Sequence, residues 1–438
     1  MTGNHFRFCR NIAAWLVMLV ATPALAAPNV TPSPRVVAAV VVRAQPNTRS
    51  EPLARLRPGE TLVLIEEVPG WYHVTLPGGL TGYVSKAWTD TVPETAAATA
   101  PVWRIHFVDV GTGLATFVEG PDFTLVYDGG SNDDLALGTK NRLLAYLHRV
   151  RPDLHVIDHM ILSHPHRDHV ELLADLFDAY EVRNVWDSGR VNDICGYRSF
   201  LTKIRAETGV IYHDAHPPAQ SHTVAGPPKP ACGTGATPFA VTMMHGSGIS
   251  QGLTIPLGAA AFMTFLTADA RNHSDANENS LVVRLDLGSK RLLFMGDAEA
   301  SGDRELPSVP PRSNFAEGQL LECCVAQLPA DLLVAGHHGS MSSSRAKFLD
   351  AVGAKIFVIS SGPNPYGKNK VRLPDQPVVT ELEHRGDLWR TDFDDPHCLT
   401  DTAKIGPDND NEAGGCDNIL VRVQAAGQLL INYERIHD

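Results

Sequence analysis

The sequence predicts an α/β layered fold preceded by a small all-β domain. From about Val102 onward, strand-like apolar runs alternate with helical segments, whereas 36–92 holds short β-branched and aromatic runs separated by Gly and Pro. The third observation is chemical. His164-Pro-His166-Arg-Asp168-His169 follows directly on the apolar run Val156–Leu162, so a dense set of metal-ligating side chains stands at a strand end.

The first residues are set aside before any fold reasoning. Met1–Arg10 carries Arg7 and Arg10 without an acid, Ile12–Val20 is apolar, and Ala24-Leu25-Ala26 precedes Ala27 in the small-residue cleavage pattern, so 1–26 reads as a signal peptide. The apolar run is too short to span a bilayer, and no later segment resembles a span. The expected location is therefore periplasmic or secreted. Removing the two arginines takes the formal charge from −12 to −14, which gives no electrostatic reason for nonspecific nucleic-acid binding. Nucleic acid remains a candidate only as a substrate, since bound divalent metals supply local positive charge. Six of the 7 cysteines remain after the leader, and an even count in an exported chain favours disulfides, Cys195–Cys232 and Cys398–Cys416 being the local pairings.

Within 36–92, Val37–Val42, Thr61–Glu66, Trp71–Thr75 and Gly82–Ser85 read as strands. Together with Arg57-Pro-Gly-Glu, Gly70-Trp-Tyr-His-Val and Gly82-Tyr-Val, they resemble a bacterial SH3-type domain, which implies binding of a cell-wall peptide or another partner. Residues 93–101, rich in Ala and Thr, read as a linker.

The second domain, 102–438, opens with strands over Trp103–Asp109, Leu114–Val118 and Phe123–Asp128. Leu143–Val150 then reads as a helix, Val156–Leu162 as a buried strand and Val170–Tyr180 as a helix. Val182–Trp186, Tyr197–Glu207 and Val210–His213 continue the alternation. Residues 214–238 and Asp303–Pro311 read as long loops.

Imidazoles and a carboxylate with open positions suit zinc, manganese or iron and activate water. Asp168 and His169, adjacent at the end of the motif, cannot easily close on the same ion as the first two ligands, so His164 and His166 suggest one metal, Asp168 and His169 a second. Ser280–Asp286 and Arg291–Asp297 read as a hairpin whose second strand ends in Gly296-Asp297, a carboxylate placed to bridge two ions. Asp331–Ser340 repeats the design, with an apolar strand delivering His337-His338 to a loop.

The order Asp128-Gly-Gly, His-x-His-x-Asp-His, Asn279-Ser280-Leu, Gly-Asp297 and His-His-Gly-Ser resembles the metallo-β-lactamase fold, an αββα sandwich. Within it, Phe107-Val-Asp-Val-Gly111, Val358–Gly362, Tyr366-Gly367 and Arg390-Thr-Asp392 make the chain similar to the soluble hydrolase domain of ComEC-type competence proteins. The resemblance implies two divalent ions, zinc or manganese. His164 and His166 would bind one, Asp168 and His169 the other, with Asp297 bridging. His337 is the expected further ligand and His338 the group acting at the leaving atom, roles open to exchange, while Asp168 is expected to orient the attacking water. Asp128 would orient a ligand from behind, and Asp109 either does the same or caps a turn. A third histidine for the first ion is expected from a separate loop, among His213, His216, His222, His245 and His273, with His245 in the best strand-end context.

Three departures matter. Gly111-Thr-Gly-Leu114 stands for Gly-Gln-Gly-Asp, Tyr366-Gly-Lys368-Asn369 for Tyr-Gly-His-Pro, and His166 where ComEC-type domains carry aspartate. They weigh against DNA as the substrate and leave hydrolysis intact. The expected function is an exported metallo-hydrolase acting on a phosphoester. The alternatives are an amide, lactone or lactam hydrolase of the same fold, and a cell-wall-binding protein with a degenerate hydrolase domain.

Overall fold

The computed structural model describes residues 29–92, 102–132, 141–216, 223–226, 232, 239–242, 248–392 and 418–433, apart from 34, 37–38, 57–60, 77–79, 363–364, 367–369 and 425–426. The expected signal peptide, the linker 93–101, His222, His245, Cys398 and Cys416 lie outside the described residues. The chain divides into two compact units, Met1–Ala98 and Thr99–Asp438.

The first unit is all β: β1 (Asn29–Pro32), β2 (Val40–Arg43), β3 (Pro52–Leu56), β4 (Leu62–Val68), β5 (Trp71–Thr75), β6 (Thr81–Ser85) and β7 (Thr89–Val92), in the order β3-β2-β6-β5-β4-β1-β7. Its small core is Val30, Val42, Leu56, Leu64, Val74 and Val84, and burial alternates along β1, β2 and β6 as in a half-buried pleat. The unit begins upstream of the expected boundary at 36, because β1 pairs with both β4 and β7.

The second unit starts with β8 (Trp103–Phe107), β9 (Ala115–Glu119), β10 (Thr124–Gly129), α1 (Arg142–Val150), β11 (Val156–Leu162), α2 (Arg167–Val170), α3 (Leu176–Ala179), β12 (Glu181–Asp187), α4 (Cys195–Ala206) and β13 (Ile211–Asp214). A short hairpin, β14 (Thr223–Gly226) with β15 (Phe239–Thr242), follows. The remainder is β16 (Thr254–Gly258), β17 (Ala261–Phe265), β18 (Val283–Leu287), β19 (Lys290–Phe294), α5 (Ala316–Cys323), β20 (Leu332–Val334), α6 (Ala346–Val352), β21 (Ile356–Ile359), α7 (Gln376–Glu383), β22 (Asp387–Arg390), β23 (Ile419–Val423) and β24 (Leu429–Tyr433). The single helix expected over Val170–Tyr180 is instead α2 and α3 with a turn between them, and Asp303–Pro311 carries neither helix nor strand.

Two sheets result, β13-β12-β11-β10-β9-β8-β23-β24 and β16-β17-β18-β19-β20-β21-β22. Period-two alternation sorts their side chains into layers. Phe107, Leu125, Tyr127 and Ile161 from the first sheet meet Phe265, Leu292, Phe294 and Val334 from the second. On the outer face of the first sheet, Val126, Met160 and Leu162 pack with Leu143 and Leu147 of α1 and Phe200 of α4. On the outer face of the second, Leu293, Leu333 and Phe357 pack with Leu320 of α5, Phe348 of α6 and Leu382 of α7. The architecture is an αββα sandwich. Strands β10 and β11 are parallel, as are β19, β20 and β21, so Asp128, His164, Asp297 and His337-His338 all leave strands at their C-terminal ends, where such folds place ligands. Cys195 and Cys232 form a disulfide, and so do Cys323 and Cys324. Among the described residues no helix is long and apolar enough to cross a membrane.

Phe294 is fully buried between the sheets, with ring centroids 6.1 Å from Phe107 and 5.1 Å from Tyr127. Phe294→Ala is expected to cost about 3–5 kcal/mol through lost burial and a residual cavity, read as a fall in the urea midpoint at an unchanged slope.

Candidate metal centre

The histidine motif is bent into a ligand set by its local structure. His164 follows directly on β11, while Arg167 opens the one-turn helix α2 that carries Asp168 and His169, and the His164 and His169 rings meet with centroids 4.2 Å apart. The turn is clamped by backbone packing. A Cβ on Gly130 would lie 1.9 Å from the Asp168 carbonyl carbon and 2.0 Å from the His169 nitrogen, so only glycine fits there.

Behind the ligands stands Asp128, fully buried with φ 57°. Its Oδ1 accepts from the Ser163 N–H at 2.7 Å, while Oδ2 accepts from Ser163 Oγ at 2.7 Å and from His169 Nδ1 at 2.8 Å. A carboxylate cannot donate, so His169 carries its proton on Nδ1 and leaves Nε2 bare. His338 is held likewise. Its Nδ1 donates to the Ser360 carbonyl at 2.8 Å, leaving its Nε2 aprotic, and the ring stacks on Tyr366.

These bare atoms converge. His169 Nε2 and His338 Nε2 are 3.2 Å apart, Asp297 Oδ1 lies 3.1 Å from the first and 3.4 Å from the second, and Asp168 Oδ2 is 3.7 Å from His338 Nε2. Asp297 Oδ1 is buried without a hydrogen-bond partner among the described residues. Electron pairs at such distances require a cation between them. A proton is one answer: burial lowers the His169 pKa, but Asp297 and Asp128 outweigh it and drive it well above the usual imidazole value. A proton serves one pair of atoms at a time, however, and four acceptors meet here. The mixed imidazole and carboxylate set fits a divalent cation.

A second group lies on the other side of Asp297. His164, His166 and Asp297 can share an ion, as can Asp168, His169 and His338. His164 Nε2 is 3.0 Å from His166 Nδ1 and 3.7 Å from Asp297 Oδ2. Burial first, then the neighbouring His169, hold the His164 pKa well below the usual range, so the ring is neutral and ready to ligate. Burial alone would raise the Asp297 pKa. The surrounding His169, His338 and His337 outweigh it and keep the carboxylate ionised. Its N–H is bound to Ser280 Oγ at 3.0 Å.

Five of the six expected ligands, His164, His166, Asp168, His169 and Asp297, thus fall in these two groups, and it is His338, not His337, that joins Asp168 and His169. His337 Nε2 stands 3.9 Å from Asp297 Oδ2, with Nδ1 2.9 Å from Glu299 Oε1 and 2.8 Å from Ser342 Oγ. Burial works against its protonation, yet Asp297 and Glu299 push its pKa up to about 9. Both His337 and His338 sit in the left-handed region, with φ 48° and 53°. Among the candidates for a further histidine, His213 stacks on Trp186 at 3.8 Å, His273 binds Asp269 at 2.9 Å and His216 sits beside Asp214, so none of these three enters either group. Asp109 caps the first loop through the Gly111 N–H at 2.9 Å. Glu299, Ser342, Ser360 and Asn132, whose amide donates to Asp168 Oδ2 at 3.2 Å, escaped the sequence reading. Only the positions of Glu299 and Asn132, a few residues beyond Asp297 and Asp128, could have hinted at them.

Asp128→Asn is expected to lower divalent-metal affinity about 10–100-fold by unfixing the His169 ring, measured by competition with a chromogenic chelator.

Residues 38–90 match the bacterial SH3 domain and residues 108–231 the metallo-beta-lactamase superfamily. "Recombination protein 2" of Haemophilus influenzae is 25% identical over 286 residues, 65% of this chain and 27% of that protein. "ComE operon protein 3" of Bacillus subtilis is 30% identical over 128 residues, 29% of this chain and 14% of that protein. The chain therefore spans roughly a quarter or less of these relatives. Among solved structures, the metallo-beta-lactamase fold protein YhfI from Bacillus subtilis is 12% identical with a TM-score of 0.35, covering 66% of this chain and 97% of its own. The two parts of the chain are thus a bacterial SH3 domain and a metallo-β-lactamase superfamily domain homologous to part of the ComEC-type competence proteins.

Proposed function

We propose that the chain is an exported, metal-dependent hydrolase of phosphoesters. The observation that carries the reading is the position of Asp297, whose two oxygens each face a separate ligand group. Asp168, His169 and His338 would hold one divalent ion, His164 and His166 the other, and Asp297 both. Such ions, zinc or manganese, supply Lewis acidity and make water nucleophilic near neutral pH.

The residues divide the remaining work. Asp128 and Ser360 fix the tautomers of His169 and His338. With no proton on Nε2, His338 has nothing to give a leaving group, so its role is that of a ligand. Asp168, steadied by Asn132, is placed to accept a proton from the attacking water. The partly open side of the site is lined by His166 and His337, with side chains 33% and 22% exposed, whereas His164, His169 and His338 are closed off. Substrate enters on that side.

A paired site bridged by a carboxylate suits an in-line displacement, in which both attacking and leaving oxygens carry charge. Relatives named for recombination and competence keep nucleic acid among the substrates to assay. Export rests on the pattern over 1–26 and agrees with the Cys195–Cys232 disulfide, which persists in oxidising compartments. The SH3 domain is assigned to binding a cell-wall peptide; the exposed Trp88, with the Arg35 guanidinium 4.9 Å from its ring centroid, offers such a ligand an aromatic surface.

The test is a panel of bis-aryl phosphates, single-stranded DNA and a chromogenic lactam. Phosphoester turnover is expected to vanish on chelation, to return with zinc or manganese, and to fall about 10²–10⁴-fold in Asp168→Ala. Lactam hydrolysis with phosphoesters untouched would reverse the substrate assignment, and full activity in Asp168→Ala would refute the mechanism.

A further inference from the structure

Asp128–His169 is one half of a device that the chain builds twice. On one side of Asp297, a buried carboxylate faces His169 Nδ1 at 2.8 Å while Nε2 lies 3.1 Å from Asp297 Oδ1. On the other side, the buried Glu299 faces His337 Nδ1 at 2.9 Å while Nε2 lies 3.9 Å from Asp297 Oδ2. Ser342 Oγ, 2.8 Å from the same Nδ1, directs its own proton to Ser340 Oγ and is left as an acceptor. Facing two acceptors, His337 Nδ1 is the protonated nitrogen, and Nε2 offers its electron pair toward the oxygen that His164 also approaches. The Asn277 amide nitrogen, 3.4 Å from Nε2, is a donor facing that pair.

We propose that His337 is a ligand of the His164–His166 group, filling the place expected of a histidine from a separate loop, and that Glu299 is its positioning residue. The inference deepens the metal-centre reading on which the proposed function rests. It also accounts for two consecutive left-handed residues: the backbone at His337 and His338 is bent so that neighbouring imidazoles reach opposite oxygens of one carboxylate. Carboxylates behind metal-bound imidazoles raise ligand basicity and fix the ring, which is the work assigned to Glu299.

The experiment is a cobalt(II) titration of the full chain after removal of metal by chelation, followed by visible absorption and elemental analysis. Wild type is expected to take up two equivalents. His337→Asn, chosen because asparagine tolerates the left-handed backbone, is expected to weaken one equivalent about 10–100-fold and alter its absorption, leaving the other unchanged. Glu299→Ala is expected to weaken the same equivalent, and Glu299→Gln, which keeps an acceptor oxygen, to recover most of the loss. His273→Ala, outside both groups, is expected to match wild type. Wild-type uptake and spectrum in His337→Asn overturn the proposal, as does a wild-type chain that takes up a single equivalent. Should His337→Asn fail to fold, judged by its far-ultraviolet circular dichroism, the Glu299 pair decides, and equal affinities in Glu299→Ala and wild type overturn it. Uptake as expected with no phosphoester turnover rejects the substrate assignment alone.

Discussion

A buried carboxylate surrounded by imidazoles governs the second unit. Asp297 is removed from water, which by itself is costly for a charge, and His164, His169, His337 and His338 supply the compensation from two separate segments. Those segments must therefore meet to within a few ångströms. Gly296 makes the meeting feasible: it adopts φ 54°, and a Cβ there would press on Ser163 at 2.9 Å. This contact ties the end of β19 to the end of β11, beside the apolar layer that joins the two sheets.

Much of the architecture was legible because its signals are local. The run Val156–Leu162 is β11 residue for residue, since a strand in the middle of a parallel sheet is apolar on both faces. The hairpin ending in Gly296-Asp297 and the strand before His337-His338 could be read for similar reasons. Short or polar strands could not. Asn29–Pro32 and Thr89–Val92 earn their β structure from pairing with each other, not from their composition. The division of labour between His337 and His338 was beyond sequence reasoning for a sharper reason: the tautomer of His338 is decided by the carbonyl of Ser360, on a different strand end. Glu299 was missed because a lone acid after a strand is ordinary until its partner imidazole is known.

Backbone strain is gathered where the candidate ligands are. Asp128, His337 and His338 are three of the non-glycine residues with positive φ, and each presents its side chain to the same cluster. Packing offsets this strain. The clamp of Gly130 on the Asp168 turn and the two hydrogen bonds from Ser163 to Asp128 leave the side chains little room to relax. A centre built this way is set before any ligand arrives, so the reorganisation that binding would otherwise require is already complete.

The edge of the first sheet has a different consequence. β8, which opens the second unit, pairs with β23 in a register that joins Phe107 to Ile419, and the Asp109 N–H is bound by Asn418 across 309 positions of sequence. While the chain is being made, Trp103, Ile105 and Phe107 lie on a strand that has β9 on one side but whose neighbour on the other side does not yet exist. The sheet closes only when the last strands emerge, so the long-range pairing acts as a timing constraint: the ligand-bearing strands can assemble early, but the edge that protects them from association with other chains is completed last.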